Sequence, residues 1–171
     1  MKISVKLVLY LLVFSILHFG YDLTHLSILK PFCGVNESVF QHLKMAFWAY
    51  LIASAMEYAG VKKKLKEKAS FWYSRILATV IVPWFTFLIW YLVPAIFGKI
   101  HSLVLDILWA VISSLLGGIS AILVEKTAEK YKFDMTLRIA IISLLIISAF
   151  LYIRFTYFLP WIDMFVDPKT L

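Results

Sequence analysis

Apolar residues in this chain neither alternate nor recur on one face. They run on until a short polar stretch stops them. Five such runs stand out, at about residues 5–20, 38–58, 71–93, 103–124 and 137–158. A bilayer core of about 30 Å is crossed by roughly 20 apolar residues in a helix. A helix also pairs its own backbone groups, which lipid cannot do. The pattern therefore predicts an all-α, polytopic membrane helix bundle of about five transmembrane helices. It forms one integral membrane domain over residues 1–171, with no repeat, low-complexity tract or linker to divide it. The opening M-K-I-S-V-K and the run after it resemble a signal peptide, but no small-x-small cleavage site follows. That run is read as a retained first span. A short amphipathic tail, L-P-W-I-D-M-F-V-D-P-K-T-L, ends the sequence.

The polar stretches between the runs give an orientation. Lys2 and Lys6 precede the first. Lys62, Lys63, Lys64, Lys66, Lys68 and Arg75 follow the second, and Lys126, Lys130, Lys132 and Arg138 follow the fourth. With five spans these regions share one side, and they hold twelve of the seventeen basic residues. The other side has Lys30, Lys44, Lys99, Arg154 and Lys169. Basic residues concentrate in cytoplasmic loops, so the amino terminus is expected inside and the carboxyl terminus outside. Phe71, Trp72 and Tyr73 at one surface, and Trp90, Tyr91, Tyr157, Phe158 and Trp161 at the other, suit the two interfaces. In the fourth run, Ser113 and Gly117, and likewise Ser114 and Gly118, have the spacing that lets helices approach closely.

Composition narrows the classes. At 63% hydrophobic, the chain has too little polar surface to cover a water-soluble globule. The net charge of +7 is explained by topology, so no nucleic-acid partner is expected. The lipid bilayer is the expected partner and the cell (plasma) membrane the expected location, as a multi-pass protein. The single cysteine, Cys33, excludes an internal disulfide and a cysteine-based metal motif. One Asn, one Gln and one Cys beside abundant Ile, Leu and Lys fit a thermophile.

Orientation makes the rare polar residues interpretable. All four histidines, His18, His25, His42 and His101, fall at or near the outer end of a run, as do Asp22, Glu37, Asp106 and Asp163. Ionisable groups at membrane depth are costly and face a bundle interior or an aqueous cavity. One outward-opening polar site is therefore expected. In H-F-G-Y-D-L-T-H, His18, Asp22 and His25 share a face if the helix continues past Gly20. Two imidazoles and a carboxylate suit a divalent metal, and a carboxylate can orient an imidazole as a base. In G-V-N-E-S-V-F-Q-H-L-K, Asn36 reads as a helix cap and Glu37 as a first-turn acid. His42 and Lys44 have no such explanation, since a cation opposes the dipole there. Glu37 and His42 are about 140° apart on a straight helix, so a tight chelate needs an irregular first turn. Asp106, one turn into the fourth run, is a third carboxylate, with Lys44, Arg154 or a protonated histidine as its partner. Glu57 lies about 22 Å along the helix from His42 and cannot join them. The reading is thus His18, Asp22, Glu37, His42 and Asp106 as catalytic candidates, Asn36, Lys44 and Arg154 as substrate-binding candidates, and His18, His42 and Glu37 as metal ligands.

H-F-x-Y-D closing the first run, V-N-E-S-V-F-Q-H-L-K opening the second and M-E-Y ending it resemble a family of small prokaryotic multi-pass membrane proteins. The hallmark of that family is N-E-S-x-x-x-H-L-K, and it is a domain of unknown function. The resemblance is specific over residues 18–58. It implies a helical membrane protein and carries no catalytic role. His18, Asn36, Glu37, Ser38, His42, Leu43, Lys44, Glu57 and Tyr58 match its pattern, with Asp22 as an acidic match.

The familiar phosphate, dinucleotide, serine-hydrolase and zinc-protease motifs are absent. Three functions remain. They are an intramembrane enzyme on a lipid-like substrate, a small transporter or ion-binding protein, and an accessory or assembly subunit that meets a homo-oligomeric or membrane-complex partner.

Overall fold

The structure is a computed structural model that describes residues 1–65 and 67–167; Lys66 and Lys169, counted above for orientation, lie outside the described residues. Five long helices follow one another: α1 (Ile3–Thr24), α2 (Val39–Val61), α3 (Lys68–Phe97), α4 (Leu103–Ala128) and α5 (Met135–Tyr157). Short 3-10 turns occupy Ser27–Leu29 and Asp163–Phe165, and there is no strand among the described residues.

The helices match the apolar runs but are longer at several ends. Gly20 does not break α1, which continues to Thr24 and stops at His25 in a left-handed conformation (φ 54°). α3 ends at Gly98, whose φ of 80° favours a residue without a Cβ. Asp134 caps α5, its carboxylate accepting the Leu137 N–H at 2.8 Å.

Four of the helices, α1, α3, α4 and α5, are long and apolar enough to cross a membrane. The second is set apart by Gln41, His42, Lys44, Ser54 and Glu57, all of which fall within it. Its surroundings account for that. α2 is buried on nearly every side, from Phe40 and Gln41 to Ser54 and Glu57, so protein rather than lipid meets its polar groups. It also runs the full depth of the bundle. His42 at its start lies beside His18 near the end of α1, and Glu57 at its end lies beside Lys6 at the start of α1. α5 is the opposite case, with Ile141 its one buried residue among those described.

The small residues of α4 act as the spacing predicts. A Cβ on Gly117 would run into Thr86 Oγ1, and one on Gly118 would stand 2.8 Å from the Tyr10 ring. α4 thus closes on α3 through one glycine and on α1 through the next. Trp109 Nε1 adds a bond from α4 to the Trp90 carbonyl at 2.9 Å.

Candidate metal centre at the histidine end

The segment between α1 and α2 folds back on α1, where the Gly34 N–H donates to the Leu17 carbonyl at 3.1 Å. Asn36 then makes a local turn, its Oδ1 accepting the Ser38 N–H at 3.0 Å. The cap position of α2 is Ser38, whose side chain makes no capping bond. Asn36 therefore shapes the approach to α2 and does not cap it, and Glu37 lies before the helix begins.

That offset of two residues, from Asn36 to Ser38, leaves Glu37 in the connecting segment beside both histidines. Glu37 Oε2 is 3.7 Å from His18 Nε2 and 3.7 Å from His42 Nε2. The two imidazole rings are 5.3 Å apart and nearly perpendicular. One ligand atom from each of His18, Glu37 and His42 lies within 4.8 Å of the others. Phe14 packs under both rings at 6.4 Å.

The distances bear on chemistry. At 3.7 Å the contacts exceed the 2.7–3.2 Å range of a hydrogen bond. They approach the edge of a tetrahedron around a metal held at about 2.0–2.1 Å, which is roughly 3.4 Å long. His42 Nδ1 lies 3.0 Å from the Ser38 carbonyl. A carbonyl only accepts, so Nδ1 carries the proton and Nε2 presents its lone pair toward Glu37. This is the arrangement in which a backbone carbonyl behind the ring fixes the ligating tautomer.

The other sequence-derived candidates lie around this group rather than in it. Asp106, in the first turn of α4, is partly buried and within electrostatic reach of His42. Asp22, His25 and His101 are exposed. Lys44 faces away from the imidazoles and donates to the Lys30 carbonyl at 2.7 Å and to Thr156 Oγ1 at 3.1 Å. Arg154 is exposed and lies over the Phe158 ring, 3.5 Å from its centroid.

The opposite end holds a second polar group that sequence reasoning missed, having assigned Lys6 and Arg75 to topology alone. Lys6 (α1) bonds Glu57 (α2) at 2.6 Å and also pairs with Glu125 (α4). Arg75 (α3) reaches Glu57 at 3.2 Å, Glu125 at 3.3 Å and Glu129 at 2.6 Å. The Tyr50 hydroxyl donates to Glu125 at 2.7 Å. Lys6, Glu57, Arg75 and Glu125 are each at most 2% exposed. The Met1 amino group also reaches Glu57 at 3.3 Å, so three cations and three carboxylates meet here, and they join four helices. The available signal was Lys6 lying inside an apolar run rather than beyond it, with Glu125 directly at the end of another.

An all-helical bundle with four membrane-length apolar helices, and with its polar groups gathered at two ends, defines a polytopic helical membrane protein. The chain belongs to the family of unknown function DUF6512, whose profile matches residues 1–170. No curated protein and no solved structure matches it.

Proposed function

We propose that this is a metal-dependent enzyme of the plasma membrane, with its amino terminus inside, acting on a lipid-like substrate at the outer face. His18, His42 and Glu37 hold one divalent transition metal. Two imidazoles and one carboxylate are a donor set that leaves a fourth position for water or substrate. Asp106 is the nearby carboxylate for proton transfer, and Asp22 lines the approach. Asn36, Lys44 and Arg154 form the surrounding substrate contacts. The observation that carries the reading is the convergence of three ligand atoms within 4.8 Å from α1, the connecting segment and α2, with the His42 tautomer set for ligation.

A second reading, a small metal carrier, is favoured by one observation. The end opposite the histidines is closed by the buried ion pairs of Lys6 and Arg75, and a site open at one end and shut at the other suits alternating access.

The test is metal content by mass spectrometry in protein purified without chelator and exposed to zinc. About one metal per chain is expected for the wild type, and little for His18→Ala, His42→Ala or Glu37→Gln at unchanged thermal stability. Because protons compete with the metal for the same nitrogen lone pairs, retention should also fall as the pH is lowered. A wild-type protein that holds no metal, or variants that hold as much, would sink the reading. Metal flux into proteoliposomes without lipid turnover would select the carrier.

A further inference from the structure

Lys44 is the least compensated charge in the bundle. It is fully buried, and its recorded partners are a backbone carbonyl and a threonine hydroxyl. Among the described residues no carboxylate pairs with it. The ionisable group that acts on it is Cys33. Burial raises that thiol above its ordinary range, which keeps it neutral and removes it as a counter-ion. Burying an ammonium without an anion is expensive, so an anion that joins Lys44 would stabilise its charged form.

The neighbours of Lys44 along α2 share the deficit. Gln41, one turn before it, is fully buried, and neither its amide oxygen nor its nitrogen has a partner. Trp48, one turn after it, has a buried indole N–H without a partner. Ser38, at the start of the same stripe, has a buried, unpartnered hydroxyl. The spacing of three, three and four puts them along one side of the helix. What they face is defined by their contacts. Lys44 reaches the segment before α2 through Lys30 and reaches α5 through Thr156. The Trp48 ring packs on Phe32 of that segment at 5.0 Å. The stripe therefore looks into the seam between α2, the 25–38 segment and α5.

We infer that this seam is an oxyanion site, in which Lys44 supplies the charge and Gln41 a neutral donor to the phosphate of an anionic lipid, with Ser38 and Trp48 standing about a turn beyond on either side. The donors outnumber the acceptors, as an anion requires. Lys44, Gln41 and Ser38 are wholly buried, so a lipid enters from the bilayer by parting α5, which exposes most of its length, from α2. The role of the bound group as substrate rests on the metal-site reading; the binding itself does not.

The experiment is native mass spectrometry of delipidated protein titrated with phosphatidylglycerol or phosphatidylcholine, with inorganic phosphate as competitor. Phosphatidylglycerol should bind and phosphatidylcholine should not. Lys44→Met should weaken phosphatidylglycerol binding by about tenfold or more, as loss of a charged hydrogen-bond partner does. Gln41→Leu, which keeps the packing, should weaken it several-fold and carries the test if Lys44→Met fails to fold. Zinc retention should survive both changes. Equal affinity of the two lipids, or of wild type and both variants, overturns the site even if metal is retained. Loss of metal with lipid selectivity intact overturns only the metal reading. Displacement by millimolar phosphate overturns the lipid as the source of the oxyanion.

Discussion

Arg75 shows what single residues contribute to this bundle. Its guanidinium is 2% exposed and touches carboxylates of Glu57, Glu125 and Glu129, with the Phe71 ring beneath it at 3.8 Å. Removing one member of a buried ion group strands the others without compensation. Arg75→Ala should cost about 3–5 kcal/mol, measured as thermal unfolding in detergent. Arg75→Lys should recover little, since one ammonium cannot replace a planar fork engaged on several sides. An alanine variant within about 1 kcal/mol of wild type would show the ion pairs to be incidental. The sequence displayed Arg75 as one more cation in a basic loop. His18, Glu37 and His42 were legible because a histidine in an apolar run is rare enough to need a reason. Arg75 was not legible, because arginine beside a lysine run already has one.

Helices meet here through positions where the side chain is missing. Gly117 touches Thr86 so closely that a methyl group would stand 3.2 Å from the Thr86 backbone nitrogen and Cα. Backbone cannot swing aside, so Gly117→Ala should overpack the α3–α4 contact and cost about 1–3 kcal/mol. Gly60, in the last turn of α2, has nothing within 4 Å of its missing Cβ. Gly60→Ala should be neutral or stabilising by up to about 1 kcal/mol, through helix propensity. Melting temperatures of the two variants side by side decide the matter, and equal effects would mean that α4 does not pack on α3 as described. The small-residue spacing was readable in the sequence. Which helix each glycine faces was not, because spacing defines a stripe and not its neighbour.

At the scale of the whole molecule, the two ends differ in kind. One is sealed by balanced ion pairs between four helices. The other presents histidines, carboxylates and the uncompensated Lys44. From the basic loops, the sealed end is expected on the cytoplasmic side. A cytoplasm-active reporter inserted after Lys64 should therefore be active, and one fused after Asp167 silent. The reverse pattern would move the histidine group to the inner face and overturn an outward site.

The sequence by itself determined the class: five helical segments, their approximate limits, a membrane setting, and the residues whose polarity needs a reason. These depend on local run length and rarity, which a linear chain displays. Only the tertiary structure decided which of those residues meet. Glu37 joins His18 and His42 because Asn36 spends its side chain on a turn and delays the helix to Val39, a choice made by a few hydrogen bonds. Asp22 and Asp106 looked equivalent to Glu37 along the chain, yet they stand outside the close group. α2 tolerates its polar residues because other helices surround it, and Lys6, Arg75 and Glu125 find one another across more than a hundred positions. Such contacts come from packing and from the cost of leaving buried charges unpaired, and neither is written in the neighbourhood of any one residue.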